Sequence, residues 1–392
     1  MSNGPLIFVV AGEPSGDALG GRLMAALKSQ TGREVRFAGI GGSAMQKEGL
    51  ESLFPMAELS VMGLVEVLPH ARRLLRRMAE VARAVDEMRP DAVVTIDSPS
   101  FATGFVRRIR DRSIPRCHYV APSVWAWRPW RVHKFKRRFD CILALLPFEP
   151  KWFERVGLEC RFVGHPVVEY GADRGDGPGF RQQHDIPADA KVICVLPGSR
   201  RGEVKRLGPV FAKTLARLAA KHPGLTAVVP SVPAVEGLVG HMIRDWPVPA
   251  VLVASEAAKY DAMAASDLGL AASGTVAVEL ALAGVPSVIA YRVALVTAAL
   301  ARLLLRVKFA SLVNLILEAG AVPEFLQSKC RPDKLARELE RLLGPDGAAQ
   351  IEIVQPALDA LGRGDTPPSQ RAAEAVLDVI QRRADKAQST SS

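Results

Sequence analysis

The chain has 392 residues, more than one hydrophobic core usually serves, so its length favours two domains. Hydrophobic residues make up 48% and charged residues 23%, as in ordinary globular proteins, which excludes a disulfide-stapled or low-complexity fold. Five cysteines without a C-x-x-C pair indicate a reducing compartment and no structural metal.

Basic residues outnumber acidic ones by 51 to 41, and the excess is concentrated in one segment. Residues 70–138 contain 17 Lys and Arg against 6 Asp and Glu. Such a patch favours an anionic partner, either nucleic acid or a phosphate-bearing lipid surface, over a solvated face. The chain starts without the basic region of an export signal, and charged residues interrupt its most apolar stretch, 293–317, so neither export nor a membrane span is predicted.

Short apolar runs alternate with longer helical patterns along the chain. Because these runs lack alternating polarity, they predict parallel sheets that helices cover on both faces. A first series of strands is predicted at 6–11, 35–40, 91–97, 117–121 and 141–145, and a second at 191–196, 225–230, 250–254, 267–273 and 286–291. The expected fold class is α/β, with two Rossmann-like, doubly wound domains.

The segment 164–179, rich in Gly, Asp and Pro, is the predicted linker. The first domain is then 1–165 and the second 166–345. Residues 346–383 are predicted to form C-terminal helices that pack back on the first domain or pair two copies in a homodimer. Residues 384–392 are expected to be a disordered tail.

Ligands of open parallel sheets bind beyond the carboxyl ends of the strands, so the residues after each strand are candidate site residues. The turn AGEPSGD, 11–17, contains Glu13 and Ser15, and Ser15 is a candidate acceptor-facing residue. The turn lacks the G-x-G-x-x-G pattern of a dinucleotide site. Asp97 ends a strand and precedes Ser98-Pro99. A carboxylate there suits a general base that takes a proton from an acceptor hydroxyl, and capping of the turn is the alternative.

Three tryptophans, at 125, 127 and 130, lie among Arg and Lys residues in the segment 120–138. Indoles beside guanidinium groups suit stacking on bases or sugars, or a lipid interface. Core packing of at least one of them is the alternative. Trp125 and Trp127 are therefore candidate acceptor-facing residues.

Two strand-to-helix junctions in the second half are candidate phosphate sites. In LPGSRRGEV, 196–204, the amides around Ser199 and the side chain of Arg200 can converge on a phosphate, although the motif is not a P-loop. Ser273-Gly274-Thr275 opens another helix, in which Glu279 can accept hydrogen bonds from ribose hydroxyls, and capping by Ser273 is the alternative. Together they predict a nucleotide-diphosphate pocket. No D-x-D pair is present, so we expect neither metal nor cofactor and assign charge neutralisation to Arg200 and helix dipoles.

The ordered set of motifs resembles the lipid-A-disaccharide synthase family, glycosyltransferases of the two-Rossmann-domain B type. The matching stretches are AGEPSGD (11–17), MGLVEVLPH (62–70), YVAPSVWAWRPWRV (119–132), LPGSRRGEV (196–204), SGTVAVELALAGVP (273–286) and AVPEFLQ (321–327). The resemblance implies lipid A biosynthesis in a Gram-negative bacterium, at the cytoplasmic face of the inner membrane.

The implied reaction transfers 2,3-diacylglucosamine from UDP-2,3-diacylglucosamine to the 6-hydroxyl of 2,3-diacylglucosamine 1-phosphate (lipid X), with inversion to a β-1,6 link and release of UDP. Asp97 then corresponds to the base, with Glu13 as the alternative, and Arg200 to the pyrophosphate arginine. The resemblance also implies UDP contacts for Glu279, Arg292 and Asn314. Three positions depart from the family pattern, namely Ser100, Ala102 and Val313.

The apolar segment 59–68 runs directly into a stripe of arginines. An apolar wedge beside a cationic stripe is how a peripheral protein docks on anionic lipid. The residues assigned to this lipid-facing surface are Val61, Met62, Leu64, Arg72, Arg73, Arg76 and Arg77.

Two other functions compete with this interpretation. A UDP-sugar epimerase of the same fold would bind the same nucleotide but would need no acyl-binding surface. A basic nucleic-acid-binding protein would account for the charge, but no RRM, KH, helix-turn-helix or zinc pattern is present, so no nucleic-acid partner is expected.

Overall fold

The computed structural model describes residues 4–32, 34–59, 64–255, 257–272, 274–294 and 307–391, and it leaves the side chains of 64–71, 387, 390 and 391 undescribed. The chain divides into two compact units. Unit 1 is Met1–Pro166 together with Gly364–Ser392, and unit 2 is Val167–Arg363. Each unit is built around one six-stranded sheet in which all neighbouring strands are parallel.

The sheet of unit 1 has the strand order β2-β1-β3-β4-β5-β6. Its strands are β1 (Leu6–Ala11), β2 (Arg36–Ile40), β3 (Ala92–Ile96), β4 (Arg116–Tyr119), β5 (Cys141–Ala144) and β6 (Glu159–Phe162). Its first six helices are α1 (Pro14–Gln30), α2 (Ser43–Lys47), α3 (Leu64–Met88), α4 (Pro99–Val106), α5 (Val132–Lys136) and α6 (Pro150–Glu154).

The alternating side chains of β1 divide the core of unit 1 into two layers. Ile7 and Val9 belong to a buried cluster that includes Leu23 of α1. Phe8 and Val10 belong to the opposite cluster, which includes residues of α3 and α4. Both faces of the sheet are therefore covered, which explains why its strands are apolar without alternation.

The sheet of unit 2 has the order β12-β11-β10-β7-β8-β9. Its strands are β7 (Val192–Leu196), β8 (Thr226–Pro230), β9 (Ala250–Val253), β10 (Leu268–Ala272), β11 (Ser287–Tyr291) and β12 (Glu324–Leu326). The described helices of this unit are α7 (Gly177–Gln183), α8 (Arg201–Ala219), α9 (Glu236–Ile243), α10 (Ala258–Ala264), α11 (Val276–Leu282), α12 (Leu312–Leu317), α13 (Pro332–Leu342) and α14 (Pro345–Ala360).

All ten predicted strands are present, which confirms the prediction of two doubly wound parallel sheets. The two strands that the sequence did not predict, β6 and β12, lie at the sheet edges. Every residue of β12 is only half-buried, and β6 has a single buried residue. Neither strand therefore has the uniform apolar run of a central parallel strand.

The C-terminal helices differ from the prediction in two respects. The first helix, α14, belongs to unit 2, where the buried side chain of Gln350 accepts a 2.6 Å hydrogen bond from the amide of Ser287 and donates a 3.2 Å bond to its carbonyl. The expectation that all of 346–383 packs on the first domain is therefore wrong for α14. The last helix, α15 (Pro368–Ser391), packs on α1 and contributes Val376 to the core of unit 1.

The expected disorder of 384–392 is also wrong over the described residues, because 384–391 continue α15. Just before them, Arg383 anchors the helix by donating to the carbonyls of Ser113 (2.8 Å) and Arg112 (3.0 Å). These bonds join parts of the chain that are about 270 residues apart, so no local pattern could indicate them.

Candidate active site

The strand order of unit 2 reverses direction between β7 and β10, which is the point where doubly wound sheets bind ligands. A cavity of about 340 Å³ opens there, beyond the carboxyl ends of β7, β8 and β10. It is lined by residues from 196–203, 230–232 and 272–279 and by Lys259. The topology thus brings both predicted phosphate junctions to one pocket.

Five of the residues predicted to bind UDP line this cavity, namely Ser199, Arg200, Gly274, Thr275 and Glu279. Ser273 lies outside the described residues.

The turn after β7 requires glycine at position 198. Gly198 has a φ of +116°, and a Cβ placed on it would lie 2.6 Å from Oε2 of Glu203. The turn leads into α8, whose first amides have no acceptor within the helix. The side chain of Arg200 is 69% exposed, and its one ion pair in the described structure is a long contact of 3.4 Å to Glu203. Its guanidinium therefore keeps donors for an anion.

Glu279 lies in the first turn of α11 and is only 6% exposed. The Nζ of Lys259 lies 2.6 Å from Oε1 and 2.7 Å from Oε2 of this carboxylate, and the hydroxyl of Tyr260 donates to Oε1 at 3.1 Å. The charge of the buried acid is thereby compensated. Lys259 and Tyr260 belong to no recognised motif. Their place at the start of α10, shortly after β9, is the signal that could have indicated them.

Asn314, a predicted nucleotide contact, makes structural hydrogen bonds within unit 2. It is fully buried, its Nδ2 donates to the carbonyl of Val322 (2.7 Å) and to Glu324 (2.8 Å), and its Oδ1 accepts from the amide of Val322. The amide side chain thus connects α12 to the segment that leads into β12. Arg292 donates to the carbonyl of Cys330. Neither residue is among the described residues that line the cavity.

Asp97 lies at the corresponding reversal of strand order in unit 1, between β1 and β3. Asp97 and Ser98 both have left-handed backbone conformations, with φ of +53° and +43°. The carboxylate of Asp97 accepts a 2.8 Å bond from the amide of Ser98, and its own amide donates to the carbonyl of Tyr119. Asp97 is half-buried at the sheet edge. Its carboxylate also caps the turn that follows β3, and these bonds hold it in position.

Glu13 and Ser15 belong to the turn after β1, which runs beside β3 with Ala11 opposite Ile96. Glu13 is half-buried and precedes α1, and Ser15 is exposed in the first turn of that helix. Both candidate bases thus lie at the same edge of the sheet. Among the described residues, no cluster of three His, Cys, Asp or Glu side chains could hold a metal.

Trp125 is held by a buried acid that the sequence motifs did not indicate. Its Nε1 donates to Oε1 of Glu149 at 3.1 Å, and its ring packs edge-on against Phe148. Glu149 is 3% exposed, and its Oε2 accepts from the amides of Leu145 and Leu146. Burial raises the pKa of Glu149 to about 7. Trp125 is thus a packed, half-buried residue.

The other two indoles of this segment are more open. Trp127 is half-buried, and the guanidinium of Arg128 lies 4.2 Å from its ring centroid. Trp130 is 65% exposed. The exposed side chains of this loop therefore include the indole of Trp130 and the guanidinium of Arg128.

Helix α3 carries the predicted arginines. Arg72, Arg73 and Arg76 are exposed, and Leu75 among them is 51% exposed. Val61 and Met62 lie outside the described residues, as does the side chain of Leu64. None of the helices in the described part of the chain has the length and apolar composition needed to cross a bilayer.

Arg77, which was also predicted to face lipid, is less exposed than these three arginines and is paired with acidic side chains. Its guanidinium binds Glu58 at 2.8 Å and Glu80 at 2.7 Å, and it stacks over the ring of Phe54. The hydrogen bond from Arg77 lowers the pKa of Glu58. Arg77 therefore fixes α3 to the preceding segment.

A family model described as lipid-A-disaccharide synthetase matches residues 7–358. The chain belongs to the lipid-A-disaccharide synthetase family. It is 54% identical over 382 residues to the lipid-A-disaccharide synthase of Rhodospirillum centenum, covering 96% of this chain and 95% of the relative. It is 42% identical over 383 residues to that of Pseudomonas aeruginosa, covering 98% and 100%. As a member of this family, the chain is a hexosyltransferase.

Solved structures support the fold assignment. Acinetobacter baumannii MurG superposes with a TM-score of 0.59 at 16% identity, covering 97% of this chain and 100% of that one. A Staphylococcus aureus MnaA–UDP co-structure gives a TM-score of 0.65 at 12% identity, covering 97% of both chains. The predicted B-type glycosyltransferase fold of this lipid-A-disaccharide synthetase family member is thereby confirmed.

Proposed function

We propose that this enzyme transfers 2,3-diacylglucosamine from UDP to the 6-hydroxyl of 2,3-diacylglucosamine 1-phosphate, giving a β-1,6 disaccharide 1-phosphate and UDP. The observation that carries the proposal is the family match, which spans both units, together with the cavity at the strand-order reversal of unit 2. The epimerases among the structural neighbours are about 12% identical and share only the fold.

The cavity suits the UDP part of the donor. The amides at the start of α8 and the exposed guanidinium of Arg200 are donors for the diphosphate. Glu279 offers carboxylate oxygens to the ribose hydroxyls. The helix-start amides and Arg200 supply positive charge to the diphosphate without a metal. We therefore propose that the reaction needs neither a metal nor a cofactor.

Asp97 is the proposed base, with Glu13 as the alternative at the same sheet edge. The carboxylate takes the proton of the 6-hydroxyl as its oxygen attacks the anomeric carbon of the donor. The bond from that carbon to UDP breaks on the opposite face, which inverts the configuration. The leaving diphosphate then carries the negative charge, which Arg200 stabilises.

We place the enzyme at the cytoplasmic face of the inner membrane, where its two lipid substrates would be presented. Support comes from the exposed arginines of α3 with Leu75 between them, because cationic side chains near an anionic surface each contribute about 1 kcal/mol. Pairing of two copies through the C-terminal helices stays a prediction, which light scattering of the purified chain tests.

The test is mass analysis of the products after incubation with UDP-2,3-diacylglucosamine and 2,3-diacylglucosamine 1-phosphate. A disaccharide 1-phosphate that forms together with UDP, at an undiminished rate in EDTA, is the expected result. Isomerisation of the UDP-sugar without consumption of the acceptor would indicate an epimerase instead. A strict requirement for Mg²⁺ or Mn²⁺ would contradict the metal-free assignment.

A further inference from the structure

The wall of the nucleotide cavity contains one acid whose charge is compensated from another helix. Glu279 on α11 is 6% exposed, and Lys259 on α10 contacts both of its oxygens at 2.6 and 2.7 Å. Both residues line the cavity. A carboxylate accepts a hydrogen bond from a ligand only when it is held in the right orientation. The residue that contacts Glu279 therefore affects ligand binding as Glu279 itself does.

The hydrogen bonds of Glu279 leave part of its carboxylate free to accept another hydrogen bond. A carboxylate has about four lone-pair sites on its two oxygens. Oε1 accepts from both Lys259 and the hydroxyl of Tyr260, whereas Oε2 accepts only from Lys259 in the described structure. The remaining acceptor site of Glu279 is therefore on Oε2.

We infer that Lys259 is a positioning residue, which holds Glu279 with Oε2 available to a ribose hydroxyl of UDP. The two-oxygen contact fixes the plane of the carboxylate, and the ammonium balances a charge that burial would otherwise penalise. The inference rests on the proposed function, because it presupposes that the ribose of UDP reaches Glu279.

Calorimetric titration of the full chain with two ligands tests this role. The ligands are UDP and 2′,3′-dideoxyuridine 5′-diphosphate, which lacks both ribose hydroxyls. For the wild type, UDP should bind about 10-fold more tightly, because a hydrogen bond to a charged acceptor is lost with the hydroxyls. For Lys259→Met the ratio should fall below about 3, while the Kd of the dideoxy ligand changes little.

Two comparison variants sharpen the test. Lys259→Arg keeps a cation that can contact both carboxylate oxygens and should recover part of the ratio. Lys221→Met removes a lysine that contacts both oxygens of Glu340 at 2.8 Å outside the cavity, and it should leave both Kd values unchanged.

The outcomes separate the two roles that a cavity lysine can have. Parallel weakening of both ligands by Lys259→Met would place the ammonium on the diphosphate, and an unchanged ratio would show that Glu279 does not depend on Lys259. Either result overturns the inference. Failure of the proposed function has a different signature, because Glu279→Gln would then leave the wild-type ratio intact or the wild type would bind neither ligand.

A double variant keeps the test decisive if Lys259→Met alone does not fold. Lys259→Met with Glu279→Gln leaves no unpaired charge in the wall. If Lys259 acts only through Glu279, the double variant binds both ligands as Glu279→Gln does. A further loss of affinity in the double variant would overturn the inference.

Discussion

The indole Nε1 of Trp125 lies 3.1 Å from a carboxylate oxygen of Glu149, which is 3% exposed. Two backbone amides, of Leu145 and Leu146, donate to the other oxygen. The turn after β5 therefore holds the tryptophan-containing loop through one buried acid. Burial raises the pKa of Glu149 to about 7, so the carboxyl group in this contact gains or loses its proton near neutral pH.

The stability contributed by Glu149 should decrease as the pH rises. The pKa of Glu149 is 4.5 in the unfolded chain and about 7 in the folded one, so between these values only the folded state holds the proton. The free energy of unfolding of the wild type, relative to Glu149→Gln, should fall by on the order of 2 kcal/mol between pH 5 and pH 8. Denaturant unfolding across this range measures the difference.

Glu154→Gln is the matched control for the Glu149 prediction, because it removes an exposed carboxylate from the neighbouring helix α6. It should leave the pH dependence of the wild type as it is. A difference between wild type and Glu149→Gln that is constant or increases with pH would contradict the prediction.

Asp97→Asn should lower turnover by a factor of about 10² to 10⁴, the usual contribution of a positioned general base. Asparagine tolerates the φ of +53° at this position, so the backbone should stay in place and UDP affinity should be nearly unchanged. Steady-state rates and UDP titration measure the two effects. Activity above half of the wild type would remove Asp97 from the mechanism, and abolition by Glu13→Gln alone would transfer the role to Glu13.

Arg200→Ala should weaken UDP binding by about 1.5 to 3 kcal/mol, because a charged donor to the diphosphate is lost. Arg217→Ala is the control, since Arg217 lies roughly 26 Å further along the same helix. Equal affinities of Arg200→Ala and the control would exclude Arg200 from the diphosphate site.

Binding to anionic vesicles should depend on the exposed part of α3. Replacing Arg72, Arg73 and Arg76 with Glu should release the protein, because each arginine contributes about 1 kcal/mol near such a surface. Wild-type binding should also weaken with ionic strength. Co-sedimentation with vesicles measures both effects.

A matched reversal of charge elsewhere controls the vesicle experiment. Lys213, Arg217 and Lys334 are exposed residues of unit 2, and their replacement with Glu changes the net charge by the same amount. This variant should bind vesicles more tightly than the α3 variant. Equal release by both would show that net charge, rather than α3, governs the association.

Sequence predicted the central strands because a strand covered on both faces is apolar along its whole length. It also predicted the pocket residues that directly follow those strands, such as Arg200 and Thr275. A side-chain contact between two different elements leaves no periodic pattern in the sequence. The pairing of Arg77 with Glu58 and the contact of Asn314 with Val322 were therefore not predicted.

The two crossings of the chain between the units, near Pro166 and Gly364, set the order in which the cores can be completed during synthesis. Val376 and its neighbours in α15 fill the layer between α1 and the sheet of unit 1. The intervening residues of unit 2, roughly 200 of them, emerge from the ribosome first, which takes on the order of 10 to 40 s. Unit 2 can therefore fold while the α1 face of unit 1 still lacks its last helix, and a nascent chain stalled before α15 leaves that face open to chaperones.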